Sequence, residues 1–185
     1  MQREEKSCLT TFVMDFEKLM PAEEAVDIYT LLNDAGVELW VDGGWSVDAL
    51  LGRQTRSHKD LDIALHWEDT LRLRETLGAR GYKQVRQDSQ WNFVLRDDKD
   101  HELDVHAFAC DERGDVVEGV MYPTGSLSGN GVIGGQRVKC ISADHMVQFI
   151  SPWLHKLRDK DFHDVAALCE KFGIAYPEEY TRFKK

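Results

Sequence analysis

The chain has 185 residues, 42% of them hydrophobic and 30% charged, enough for one ordinary domain with a small appendage and a real core. No apolar run approaches the roughly 20 residues that cross a bilayer, and the N-terminal segment lacks the apolar centre and small-residue cleavage site of a signal peptide, so a cytoplasmic protein is expected. A formal net charge of −10 argues against a nucleic-acid backbone as partner and suits a cationic small molecule.

In chain order, Pro21 to Ala35 reads as an amphipathic helix, with Ala25, Ile28, Tyr29 and Leu32 on one stripe and acids at its start. Val37 to Val41 is a short buried strand, followed by a glycine pair and a helix from Trp45 to Leu51 that Gly52 closes. A second strand, Leu61 to Leu65, leads into a helix over Glu68 to Arg80. Further strands are expected at Tyr82 to Val85, Trp91 to Leu95 and Glu102 to Phe108. Asp111 to Gly135, rich in Gly, Pro, Ser and Asp, reads as loops and hairpins, and Arg137 to Ile141 as one more edge strand. From Ser142 the pattern is helical, with a last helix over Asp161 to Phe172. The reading is therefore mixed α/β (α+β), residues 1–141 forming one domain with a 1–20 extension and 142–185 a C-terminal helical portion. The cysteines Cys8, Cys110, Cys140 and Cys169 are widely spaced and read as free thiols, mostly buried.

The chemistry concentrates in WVDGGWSVDALLGRQTRSHKDLDIAL, residues 40–65. Gly43 and Gly44 let the backbone turn sharply and bring helix N–H groups towards an anion, although a glycine pair by itself is an ordinary turn. Asp60 and Asp62 are one residue apart on a strand, so both carboxylates leave the same face, and a hard divalent cation would relieve their repulsion. In HELDVHAF, Glu102, Asp104 and His106 share one face and Leu103, Val105 and Ala107 the other; beside the Asp60 strand, Asp104 would complete a triad. Taken singly, Asp104 reads as a solvent-facing charge on an edge strand, His106 as a packing histidine, and Asp48 as a helix-surface charge.

Together, the glycine pair, the DxD and the downstream ELDVH resemble the antibiotic nucleotidyltransferases of the polymerase-beta-like superfamily, closest to the lincosamide type and then to the aminoglycoside 2''-type. The resemblance covers roughly residues 37 to 173. It implies the fold of that superfamily, with Gly43 and Gly44 holding a triphosphate, Asp60, Asp62 and Asp104 acting as catalytic acids and metal ligands for Mg²⁺, two ions in all, and ATP or another nucleoside triphosphate as co-substrate. It implies transfer of a nucleoside monophosphate, AMP foremost, to a hydroxyl of an antibiotic acceptor with release of pyrophosphate. A homodimer that shares the acceptor pocket is part of the same analogy. One departure is that Gly44 stands where the wider superfamily carries serine.

Arg53, Arg56, His58 and Lys59, with Lys156, Arg158 and Lys160, are candidates for the phosphate tail, Arg56 and Lys160 ahead of the others. Trp45, Trp91 and Trp153 could stack on a base or belong to the core, and Asp161 and Asp164 could anchor the last helix. Competing readings are an aminoglycoside acceptor, a protein acceptor as in an antitoxin-like enzyme, and a nucleotide-binding module without catalysis.

Overall fold

The computed structural model describes residues 19–184. It contains strands β1 (Leu39–Asp42), β2 (Asp60–His66), β3 (Lys83–Gln87), β4 (Asn92–Arg96), β5 (Glu102–Cys110), β6 (Val116–Gly119), β7 (Gly129–Ile133) and β8 (Gln136–Cys140). The helices are α1 (Ala22–Asp34), α2 (Gly43–Leu51), α3 (Thr70–Gly78), α4 (Ala143–Ile150), α5 (Asp159–Phe172) and α6 (Glu178–Phe183). All strands join one mixed sheet in the order β3-β4-β5-β2-β1-β8-β7, and β6 pairs with β5 off that path.

The central strands explain the sheet. Leu61, Ile63 and Leu65 of β2 alternate with Asp60, Asp62 and Ala64, and Leu103 and Val105 of β5 alternate with Asp104 and His106. The apolar set is fully buried in one core with Ile28 and Leu32 of α1 and Leu73 and Leu77 of α3. One face of the sheet is thus core, and a one-residue slip would exchange the two faces, so burial itself sets the register. Helix α1 buries the expected stripe of Ala25, Ile28, Tyr29 and Leu32, with Glu23 and Glu24 in its first turn. Helices α4 and α5 pack on α2 from the C-terminal side.

Three expectations need correction. The second helix is shorter than Glu68 to Arg80, because Trp67–Asp69 forms a separate 3₁₀ turn before α3. The Gly- and Pro-rich stretch 111–135 forms hairpins and loops as expected, and within it lie the short strands β6 and β7. Strand β8 is interior, lying between β1 and β7, and β7 takes the edge. Helix α2 begins at the glycine pair itself, not after it, because Asp42 caps it: the Asp42 Oδ1 accepts from the Gly43 N–H at 2.7 Å. Cys140 and Cys169 are buried and Cys110 half-buried, all free, while Cys8 and most of the 1–20 extension lie outside the described residues.

Candidate active site

Three adjacent strands bring four carboxylates together. Strand β2 pairs with β5 in parallel, placing Asp60 beside Glu102, Asp62 beside Asp104 and Ala64 beside His106. On its other side β2 pairs antiparallel with β1, placing Asp42 beside Asp62. Asp42, Asp62 and Asp104 therefore form a row across the sheet, with Asp60 one step along the same face. Strand β5 is interior, flanked by β2 and β4, so Asp104 is not a solvent-facing charge on an edge strand. His106 belongs to the site: its Nε2 lies 3.5 Å from Asp62 Oδ1 and 3.9 Å from Asp104 Oδ1, and its Nδ1 is 2.7 Å from the Asn92 amide.

The N-terminus of α2 closes over this row. Gly43 has φ +57, and a Cβ there would fall 2.0 Å from Asp62 Oδ2, so only glycine lets the turn lie against the acid. At Gly44 a Cβ would meet His58 Nδ1 at 2.4 Å and Arg56 Nη2 at 2.5 Å. The space that a side chain at position 44 would use is occupied here by the guanidinium of Arg56 and the imidazole of His58. Around this turn lies a cavity of about 480 Å³, lined by Asp42, Asp60, Asp62 and His106 on its floor. Arg56, His58, Lys59, Arg158 and Lys160 supply its cationic side, and Met146, Phe149, Ile150 and Trp153 its apolar wall.

The electrostatics are those of a cluster short of positive charge. Burial pushes the carboxyls of Asp42 and Asp60 upward, Asp62 adds to the push in each, and His106 and Lys160 respectively oppose it. Asp104 is raised to about 6 by burial and by the charges of Asp62 and Asp60, against the pull of His106 and Arg86. Burial works against a charge on His106, yet its bond to Asp62 and the charges of Asp42, Asp62 and Asp104 outweigh it and raise the ring to about 9. Asp62, Asp104 and His106 each offer a ligand atom within 4.8 Å of the others, and Asp60 stands on the same face. A donor set dominated by carboxylate oxygens fits a hard divalent cation, which would relieve the strain recorded in these shifts.

A stability prediction follows from Asp104. Its folded pKa of about 6 lies above the ordinary 3.8, so the folded protein holds this proton more tightly and loses stability as pH rises between those values. Above that interval the ionised carboxylate costs on the order of 1–2 kcal/mol, after allowance for its partial exposure. Asp104→Asn should therefore raise the melting temperature of the metal-free protein near neutral pH, with the gap closing towards about pH 4. A lower melting temperature at neutral pH would mean that the Asp104 bond to Arg86, 3.1 Å, outweighs the repulsion.

The structure gathers Gly43, Gly44, Asp60, Asp62, Arg56 and Lys160 at one cavity, with Asp104 beside Asp62 at its margin. Trp45 is withdrawn into the core against His58, with ring centroids 4.4 Å apart, and Trp91 packs on Trp67, while Trp153 reaches the cavity wall. Asp48 is buried, not a helix-surface charge. Asp161 and Asp164 do more than anchor a helix: they line the cavity and pair with Arg158 and Arg56. Sequence reasoning passed over Asp42, Asn92 and Tyr122, whose hydroxyl donates to Asp42 Oδ2 at 2.7 Å. An aspartate immediately before a glycine-opened helix is a legible N-cap signal for Asp42. Nothing in sequence brings Tyr122 to it.

Comparison with known proteins is consistent with this geometry. Residues 24–168 match the family model described as aminoglycoside-2''-adenylyltransferase. The chain is 33% identical over 126 residues to a 2''-aminoglycoside nucleotidyltransferase of Escherichia coli, covering 65% of this chain and 67% of the relative. It is 30% identical over 96 residues to a lincosamide resistance protein of Staphylococcus haemolyticus, covering 52% of this chain and 60% of the relative. The lincomycin-bound lincosamide antibiotic adenylyltransferase LnuA superposes with a TM-score of 0.72 at 24% identity, over 85% of this chain and 100% of that one. At that identity the likeness speaks to the fold, which is that of a nucleotidyltransferase.

Proposed function

The chain belongs to the aminoglycoside-2''-adenylyltransferase family, and from that premise we propose that this enzyme transfers AMP from ATP to a hydroxyl of a lincosamide-like antibiotic. The observation that carries the reading is the register that sets Asp62 beside Asp104, with Asp60 on the same face, under the N-terminus of α2.

Each part of the cavity has a task. The N-terminus of α2 beyond the capped Gly43 and the side chains of Arg56 and Lys160 receive the triphosphate, where helix dipole and fixed cations favour negative charge. Asp60, Asp62 and Asp104 would hold two magnesium ions, which when bound neutralise charge on the triphosphate and acidify the acceptor hydroxyl. The acceptor oxygen attacks the α-phosphorus in line. A new O–P bond forms, the bond from the α-phosphorus to the bridging oxygen breaks, and its electron pair leaves with pyrophosphate. Asp104, set beside Asp62 by the parallel register of β2 and β5, takes the hydroxyl proton. The helical portion from residue 142 contributes Met146, Phe149, Ile150 and Trp153 as an apolar wall for the base. A second copy of the chain completes the acceptor pocket in this reading, and sedimentation velocity with and without acceptor measures that.

Arg86 favours the lincosamide-like acceptor. Its guanidinium bonds to Asp104 and, through Nε, to Asp88 at 2.9 Å. A cation beside the base tolerates an acceptor with one amine better than a polycation. The aminoglycoside reading draws support from the family model and from the net charge of −10. The test is pyrophosphate release with ATP and Mg²⁺ across lincosamides and aminoglycosides, with product mass by spectrometry. A gain of one AMP on lincosamides bears the proposal out. A gain on aminoglycosides alone moves the acceptor to the second reading, and no gain on either removes the antibiotic acceptor.

A further inference from the structure

Arg56 is bonded on nearly every side before any ligand arrives. Its Nε donates to Asp164 Oδ1 and Oδ2 at 3.0 and 3.3 Å, and its Nη2 to Asp164 Oδ2 at 2.7 Å. Its Nη1 donates to the Ser57 carbonyl at 3.2 Å and to His58 Nδ1 at 3.0 Å. A guanidinium nitrogen can only donate, so His58 Nδ1 must accept, and the ring carries its proton on Nε2. That proton goes to Asp48 Oδ2, 2.5 Å away. Asp48 Oδ1 in turn accepts from the Thr55 N–H at 3.0 Å and the Thr55 hydroxyl at 2.6 Å. Asp48, His58 and Asp164 are all but fully buried, with 2%, 3% and 4% of their surface exposed, and Trp45 backs the His58 ring.

This chain of bonds runs from α2 through the β1–β2 connection to α5, and among the described residues it leaves one Nη2 N–H of Arg56 without a partner. The same Nη2 abuts Gly44, at the helix N-terminus where a phosphate is best received. We propose that Asp164 and Asp48, the latter through His58, are positioning residues for the nucleotide: they hold the Arg56 guanidinium so that its remaining N–H meets the triphosphate. The inference rests on the reading that this cavity binds a nucleoside triphosphate. A long flexible cation loses rotamer freedom when it captures an anion, and one already fixed by buried acceptors loses little more. The identity of residue 44 belongs to the same device, because any side chain there would displace the guanidinium.

The simpler alternative is that Arg56–Asp164 only staples α5 to the domain. The two differ in sign. Asp164→Asn removes a negative charge from a cavity that receives a polyanion, so a merely structural or bulk-electrostatic role leaves ATP binding unchanged or tightens it. A positioning role weakens it. The experiment is calorimetric titration of the full chain with ATP and Mg²⁺, without acceptor, for wild type, Asp164→Asn, Arg56→Gln and the double variant, each checked by thermal melt. The expected result is a Kd raised about tenfold or more in Asp164→Asn, and no further loss from that change in the Arg56→Gln background. An unchanged or lower Kd in Asp164→Asn, or full additivity in the double variant, overturns the proposal. Should Asp164→Asn not fold, Asp164→Glu keeps the charge and shifts the carboxylate by one methylene; wild-type affinity there overturns the proposal equally. Because no acceptor is present, an Asp164-dependent Kd stands even if no antibiotic is modified, which separates this inference from the acceptor reading.

Discussion

Asp62→Asn is expected to lower the rate of nucleotidyl transfer by about three orders of magnitude, the scale of losing a preorganised charge at the reacting centre. Asp62 is the middle of the row. It neighbours Asp42 across β1 and Asp104 across β5, accepts from His106 Nε2 at 3.5 Å, and lies against Gly43 so closely that no Cβ fits between them. Asparagine preserves that shape and removes only the charge, so the fold should survive. Two measurements together identify the cause: the transfer rate at saturating ATP, and the rise in melting temperature that Mg²⁺ produces in the wild type, which should vanish in the variant. A variant that loses activity and still gains the full Mg²⁺-dependent stabilisation would remove Asp62 from the metal site. Activity within tenfold of wild type would remove it from the reaction.

For Asp48→Ala the expected effect is on stability, a loss of about 3–5 kcal/mol and a fall in melting temperature on the order of 10 °C. The carboxylate is 2% exposed and accepts three hydrogen bonds, two from Thr55 and one from His58. Alanine leaves the buried His58 and the half-buried Thr55 without their acceptor, and each unsatisfied donor costs about 1–3 kcal/mol, less where water reaches Thr55. Burial by itself would push the Asp48 carboxyl up, but the bonds from His58 and Thr55 outweigh it and hold the group below the ordinary 3.8. A depressed carboxyl contributes stability that is fully present above 3.8 and is lost as pH falls through the folded value, so the gap between wild type and Asp48→Ala should close only in strong acid. Asp48→Asn separates stability from positioning. Its amide oxygen can still accept from Thr55, while its NH₂ would face the His58 Nε2–H and press the ring towards the other tautomer, which denies Arg56 its acceptor. Most of the stability should return, and ATP affinity should not. A melting temperature for Asp48→Ala within about 3 °C of wild type would show that the network carries little of the fold's stability.

Much of the site was legible because its periodicities are local. Asp60 and Asp62 had to share a face, and so did Glu102, Asp104 and His106, since a strand repeats every two residues wherever it lies. The glycine pair, the DxD and ELDVH pointed to a nucleotidyltransferase fold and to antibiotic-modifying relatives. Strand-like alternation failed in the stretch 111–135, where glycines stand in place of a readable pattern: Gly129 packs its α-carbon on the backbone of Ile141 and Gly131 on that of Ala49, so close packing there demands the absence of a side chain.

What the sequence determined alone was which residues could leave the same face of an element, together with the family that such a pattern marks. Which elements lie side by side was decided by the tertiary structure. The parallel register of β2 with β5 turned two separate motifs into one cluster, and the packing of α5 on α2 carried Asp164 across the length of the chain to Arg56. It also sent Asp48, which helical spacing left free to face water, into the interior against His58. Such choices follow from burial and from the need of every buried charge for a partner, and those are properties of the assembled core that no local window of sequence contains.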